Sequence, residues 1–172
     1  MLRPLVTEYT SYHAHYIERV PYGDPLLALE RQVEDTAHQL LALPEERGAY
    51  RYAAGKWSIK ELVGHVIDTE RIYAYRCLAI ARGDATSLPG FDQDAYVARS
   101  GHDRRSFRSI VDELRAVRAA SLALFHSLSE EEWNRAGVAD RKHLTARVIP
   151  WIAAGHEHHH VKVLRERYLG ST

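Results

Sequence analysis

Two histidines near the end of the chain, His156 and His160, stand where a helical pattern would otherwise place apolar residues. The same stripe carries Ile152 before them and Val163 after them. Four residues advance a helix by about 400°, which leaves the two imidazoles on one face with Cβ atoms roughly 6 Å apart. Because two inward imidazoles are costly to bury without a partner, this spacing predicts that both rings bind one metal ion.

A third histidine, His65, borders the apolar stripe of an earlier helix, next to Val66. In an up-down-up-down bundle the second and fourth helices run parallel, and all three histidines lie at a comparable depth beyond their helix starts. We therefore predict that His65, His156 and His160 together hold one divalent transition metal. Three neutral imidazoles leave a coordination position open, as in catalytic sites for zinc or another borderline metal. Taken alone, a helical histidine such as His65 is more often a hydrogen-bonded core or boundary residue than a metal ligand.

Two carboxylates lie close to these histidines in the sequence. The run from His156 to His160 fits H-E-x-x-H, in which the glutamate is the general base of zinc proteases, although the usual downstream ligand is missing. Glu157 is thus a candidate catalytic residue that could polarise a metal-bound water, or else an ordinary solvated charge. Asp68, three residues after His65, could orient that imidazole.

The remaining histidines show no comparable arrangement, and six of them are expected to be solvated. Cys77 falls on a core stripe, which favours a buried small hydrophobe over a nucleophile. The six histidines are His13, His15, His38, His102, His126 and His143.

The elements that must position these residues follow from helix signals. Asp24 and Pro25 predict an N-cap and first turn, and the apolar stripe that follows them stops at Pro44. Ser58 and Glu61 form a capping box that opens a second helix, which carries His65 and ends before Gly83. The pattern contains no alternation strong enough to propose a sheet, so the predicted class is all-α, a four-helix bundle.

A long connection is predicted over residues 83–101, whose Gly, Pro, Ser and Asp content is typical of loops. Connections of this length are often functional, so this loop is our candidate for a lid. A third helix is expected from about Arg104, a short helical piece after Ser129, and a fourth helix from near Pro150 to about Tyr168.

Composition limits the class of protein. The 172 residues predict a single domain, 1–172, in which residues 1–22 form an N-terminal extension. The 23 basic residues balance 23 acidic ones, which counts against a nucleic-acid partner, and no apolar run approaches the roughly 20 residues that cross a bilayer. One cysteine and the absence of a signal-like apolar segment favour the cytoplasm.

Two segments, KWSIKELVGHVIDTERIYAYR and IAAGHEHHHVKVLRERYL, resemble the DinB-like superfamily, which includes YfiT-type metal-dependent hydrolases. The resemblance covers most of the chain from about Tyr22. It implies a four-helix bundle with a metal on His65, His156 and His160, and a homodimer is the family-level expectation.

The resemblance leaves the reaction open. Some relatives are thiol transferases that hold a low-molecular-weight thiol on the metal, and others are hydrolases. We therefore expect a metal-dependent enzyme for a small molecule, with a thiol as one candidate substrate and zinc or nickel as the metal. The alternative is a non-catalytic metal-binding or dimerisation module.

Overall fold

The computed structural model describes residues 1–170. The helices are α1 Ser11–Ile17, α2 Pro25–Leu41, α3 Ile59–Ala81, α4 Gln93–Ser100, α5 Phe107–Ser127, α6 Glu130–Asn134 and α7 Val148–Val163, and the strands are β1 Ala136–Ala139 and β2 Lys142–Thr145. A π-helical turn over Leu164–Tyr168 continues α7 to its predicted end. The four long helices α2, α3, α5 and α7 form a bundle, which confirms the predicted fold class.

The capping residues act as predicted. The Asp24 carboxylate accepts hydrogen bonds from two backbone amides of the first turn of α2, and Ser58 and Glu61 cap α3 reciprocally. The helix predicted from about Arg104 begins at Phe107, because Ser106 is the residue whose hydroxyl caps it.

The order of the helices around the bundle differs from the up-down-up-down arrangement. Helix α2 packs mainly on α5 and α7, and α3 also packs on α5 and α7. The second and fourth long helices, α3 and α7, are therefore neighbours, whereas in a simple up-down bundle they would lie diagonally opposite. This neighbourhood brings His65 close to the histidines of α7.

The core consists of two apolar clusters, and both α3 and α7 contribute to each. One cluster contains Cys77 and Ile80 from α3 with Trp151 from α7. The other contains Ile67 from α3 together with Leu164, just beyond α7. The stretch of α7 that lies between the clusters carries the histidines.

The segment over residues 83–101, which its composition predicts to be a loop, also contains a helix. Its second half forms α4, which Asp92 caps by accepting a hydrogen bond from the Ala95 amide. Gly101 ends this helix with a φ of 69°, a conformation that glycine adopts without strain. The sequence pattern did not predict this short helix, because polar residues interrupt its few apolar ones.

A β-hairpin, which the sequence pattern did not predict, lies between α6 and α7. Its antiparallel strands pair Ala136 with Thr145 and Ala139 with Lys142. Each strand has four residues, too few for a clear alternation, and the turn is Asp140-Arg141 with φ of 50° and 62° rather than a glycine-containing pair. Both usual hairpin signals are therefore weak in this sequence.

The predicted N-terminal extension is structured. Its helix α1 packs against α7, the helix that carries two of the predicted metal ligands. Within residues 1–170, no helix combines the length and apolarity required to cross a membrane.

Candidate metal centre

Close packing around the first half of α7 fixes the position of the histidines. A Cβ atom on Gly155 would lie 2.0 Å from the carbonyl oxygen of Tyr16, so only glycine lets α1 approach α7 this closely. His156 follows directly, and its ring contacts the edge of the Tyr16 ring at a centroid distance of 5.6 Å. On the other side, the Ser58 cap fixes the start of α3 two turns before His65.

The structure brings the three predicted ligands together. His156 Nε2 lies 3.2 Å from His65 Nε2 and 3.1 Å from His160 Nε2. Nitrogen atoms of all three rings lie within 4.8 Å of one another, and within residues 1–170 this is the one group of three His, Cys, Asp or Glu side chains with such geometry. His65 and His156 are buried, and His160 is partly exposed.

Aromatic side chains surround the cluster. The Trp57 ring lies over His65 at a centroid distance of 4.7 Å and is stacked nearly parallel to His160 at 6.4 Å. Tyr73 presents its edge to His156 at 5.9 Å. These rings fix the imidazole orientations and keep bulk water from most of the cluster.

Burial keeps the three imidazoles neutral. It lowers the pKa of His65 to about 4 and that of His160 to about 3. The pKa of His156 is lowered well below its usual value, first by burial and then by its histidine neighbours. At neutral pH each ring therefore offers an unprotonated nitrogen, which is the form that binds metals.

The second nitrogen of His65 is oriented by Thr69 and not by Asp68. His65 Nδ1 lies 3.4 Å from Thr69 Oγ1. The Asp68 carboxylate instead contacts His102 Nε2 at 3.4 Å and Arg71 at 3.5 Å. The prediction for Asp68 is therefore wrong, and the sequence signal that identifies Thr69 is its i+4 spacing on the face of His65.

Glu157 does not join the cluster, and both readings of this residue need correction. It is 1% exposed, so it is not a solvated charge. One carboxylate oxygen accepts a hydrogen bond from Thr36 at 2.9 Å and the other from Arg118 at 2.6 Å. Arg118 also binds the Glu70 carboxylate through two hydrogen bonds of 2.8 and 2.7 Å. With both oxygens engaged in the core, Glu157 does not act as a base at the histidines.

A pocket of about 370 Å³ opens beside the cluster at His160. Its aromatic walls come from Tyr52, Trp57 and Tyr168, and its polar groups include Lys56, Asp94 and His159. Asp94 lies on α4, so the 83–101 segment helps to shape this pocket. That this segment closes over the pocket as a lid stays a prediction.

The other predicted positions divide into two groups. His13 and His102 are each 5% exposed, so the expectation that they are solvated is wrong. His15, His38, His126 and His143 are exposed as predicted. Cys77 is fully buried, which raises the pKa of its thiol to about 12 and confirms its expected place in the core.

The sequence reasoning gave no role to four residues around the cluster: Tyr16, Trp57, Thr69 and Asp94. Trp57 could have been found from its position directly before the Ser58 cap of the helix that carries His65. Tyr16 lies in the predicted N-terminal extension and Asp94 in the predicted loop. The residues around them in the sequence contain no signal that links either one to the histidines.

Comparison with known proteins agrees with this architecture. The family model of the DinB superfamily matches residues 28–164. The chain belongs to the DinB superfamily. A search of curated proteins gives no match.

Two solved structures share the DinB fold of this chain. YfiT from Bacillus subtilis, described as a probable metal-dependent hydrolase with an unusual four-helix bundle topology, superposes with a TM-score of 0.71 at 14% identity, over 99% of this chain and 95% of YfiT. The mycothiol-dependent maleylpyruvate isomerase superposes with a TM-score of 0.66, also at 14% identity, over 84% of this chain. The match covers 61% of the isomerase, so this chain spans less than two thirds of that enzyme's length.

Proposed function

We propose that this DinB protein is a metal-dependent enzyme that acts on a small molecule, with one divalent metal, zinc or nickel, held by His65, His156 and His160. The observation that carries the proposal is the convergence of three neutral imidazoles beside an open pocket. The reaction is either the hydrolysis of a small molecule or the transfer of a low-molecular-weight thiol.

The spacing of the ring nitrogens fits one shared cation. Ligands about 2.1 Å from a metal lie about 3.0 Å apart at a 90° angle and about 3.4 Å apart at a tetrahedral angle. The two Nε2 distances of 3.1 and 3.2 Å fall between these limits. Hydrogen bonds between the rings explain these two distances less well. His156 Nε2 carries either one proton or one lone pair, so it can form a full hydrogen bond with only one of the two ring nitrogens that it contacts.

The second nitrogen of His65 supports the same assignment. If Nε2 of this ring binds a metal, Nδ1 carries the proton and donates a hydrogen bond to Thr69 Oγ1. This hydrogen bond fixes both the tautomer and the plane of the ring.

The pocket supports a small substrate. Binding sites for small molecules usually measure about 300–1,000 Å³ and combine apolar walls with a few polar groups. This pocket lies near the lower limit, with Trp57 and two tyrosines as walls and Lys56 and Asp94 as charged groups. A divalent metal on the histidines would supply Lewis acidity that lowers the pKa of a water or a thiol.

The two structural relatives support the two reaction types. YfiT is described as a probable metal-dependent hydrolase, and the maleylpyruvate isomerase as mycothiol-dependent. Mycothiol and maleylpyruvate are small molecules, which agrees with the size of the pocket.

Elemental analysis of purified protein tests the metal site. The wild-type protein should contain about one equivalent of a divalent transition metal, and His160→Ala should lose it, because two ligands hold such an ion far more weakly than three. His158→Ala is the matched control, since His158 lies on the same helix outside the cluster and should leave the metal content unchanged. Stoichiometric metal in His160→Ala would refute the assignment.

Activity assays then separate the reaction types. The metal-loaded protein should either cleave small esters or amides without a thiol, or consume an electrophile only when a low-molecular-weight thiol is present. A protein that binds metal and gains stability from it, but shows neither activity, would favour the non-catalytic module.

A further inference from the structure

A second polar cavity lies away from the pocket at His160. It measures about 50 Å³ and is enclosed by α1, α3, the β-hairpin and the first half of α7. The polar side chains that line it are Tyr12, His13, Tyr73, Arg76, Asp140 and Lys142. Of these side chains only Tyr73 also contacts the histidine cluster, and the proposed reaction uses none of them.

The feature that points to a ligand is Arg76. This residue is 8% exposed, and within residues 1–170 no carboxylate forms an ion pair with it. Its Nη2 donates a hydrogen bond to the carbonyl oxygen of Pro89 at 2.7 Å, whereas its Nε has no hydrogen-bond partner in the described part of the chain. Arginine is rarely buried without a counter-charge, because desolvating a guanidinium costs several kcal/mol.

The nearby carboxylate, Asp140, has its pKa lowered first by its hydrogen bond with Lys142, and Arg76 is the last of the causes. Asp140 pairs directly with Lys142, whose ammonium also lies 4.5 Å from the centre of the Tyr12 ring. Two cations, Arg76 and Lys142, thus stand against one carboxylate, which leaves the cavity with one net positive charge. Burial, followed by the charges of Lys142 and Arg76, lowers the pKa of His13 to about 4, so that histidine adds no charge at neutral pH.

We propose that this cavity binds a small anion, of the size of a halide or a formate-like carboxylate, with Arg76 as its principal ligand. A single water needs roughly 10–15 Å³ of such space, so about 50 Å³ accommodates an anion of a few non-hydrogen atoms but no bulky organic phosphate. Because the walls of the cavity come from α1, α3 and the hairpin, a bound anion would stabilise the packing of these elements against one another.

Unfolding at constant ionic strength tests the site, with sodium bromide or sodium formate replacing sodium gluconate, whose anion is too large for the cavity. The unfolding midpoint of the wild-type protein should rise with bromide or formate and then level off, as expected for binding to the native state. Arg76→Gln should lose this increase. Arg71→Gln, which removes an exposed arginine from the same helix, should keep it.

Two results would overturn the proposal: the absence of any saturable increase in the wild-type protein, or the same increase in Arg76→Gln. If Arg76→Gln fails to fold, crystals of the wild-type protein soaked in bromide decide the question. An anomalous peak in the cavity within hydrogen-bonding distance of the Arg76 guanidinium supports the site, and water alone at that position refutes it. Neither measurement depends on a metal at the histidines.

Discussion

Replacing Arg118 with leucine should destabilise this protein by about 3–5 kcal/mol, the usual cost of removing one partner from a buried ion pair. The Arg118 side chain is 2% exposed, and those of its partners Glu70 and Glu157 are 4% and 1% exposed. The substitution leaves two buried carboxylates without their cation. It also leaves the backbone carbonyl of Leu29 without the hydrogen bond that Arg118 donates.

A domain of this kind is stable by about 5–15 kcal/mol, so the variant should still fold and remain measurable.

Urea denaturation followed by circular dichroism measures the difference, and Arg115→Leu is the matched control. Arg115 lies one turn earlier on α5 and pairs with Glu34, but their side chains are 39% and 60% exposed. Removing such an exposed pair should change the free energy of unfolding little. A loss below about 1 kcal/mol for Arg118→Leu, with an unchanged denaturant slope, would refute the view that this ion pair holds the bundle together.

Three further predictions concern the surroundings of the histidines and the apolar core. Thr69→Val should weaken metal binding about tenfold or more in a chelator competition, whereas Asp68→Asn should weaken it less, and the reverse order would contradict the Thr69 contact. Gly155→Ala should lower the free energy of unfolding by about 1–3 kcal/mol because its Cβ meets the Tyr16 carbonyl, although alanine is normally the better helix former by about 1 kcal/mol, and a more stable variant would disprove the close approach. Cys77, with a pKa of about 12, should not react with Ellman's reagent at pH 8 until the protein is unfolded, and a prompt reaction would show that the thiol is accessible.

The Arg118 ion pair also explains how the two apolar clusters of the core are separated. In α3, Glu70 lies between Ile67 of one cluster and Cys77 of the other. In α7, Glu157 lies between residues of the first cluster and Leu164 of the second. The charged layer thus crosses the bundle next to His156, so the same helix carries a structural ion pair and the proposed metal ligands.

Local signals in the sequence determined much of this molecule. The caps at Asp24 and Ser58 and the apolar stripes predicted the long helices, because each signal operates within about four residues of the chain. The i, i+4 spacing of His156 and His160 likewise placed both rings on one face. These features depend on helix geometry alone, whatever packs against the helix.

The tertiary structure decided what lies opposite each face. Helix α7 is buried on all sides from Val148 to Glu157, because α1, α2 and α3 surround it, so the face beside the histidines receives a buried ion pair instead of solvent. The packing of α1 on the bundle likewise buries His13, which lies on α1 beside residues of α3, the hairpin and α7. Which side chains meet depends on the order of the helices and on their rotation about their axes, and neither is encoded in the spacing of residues along a single helix.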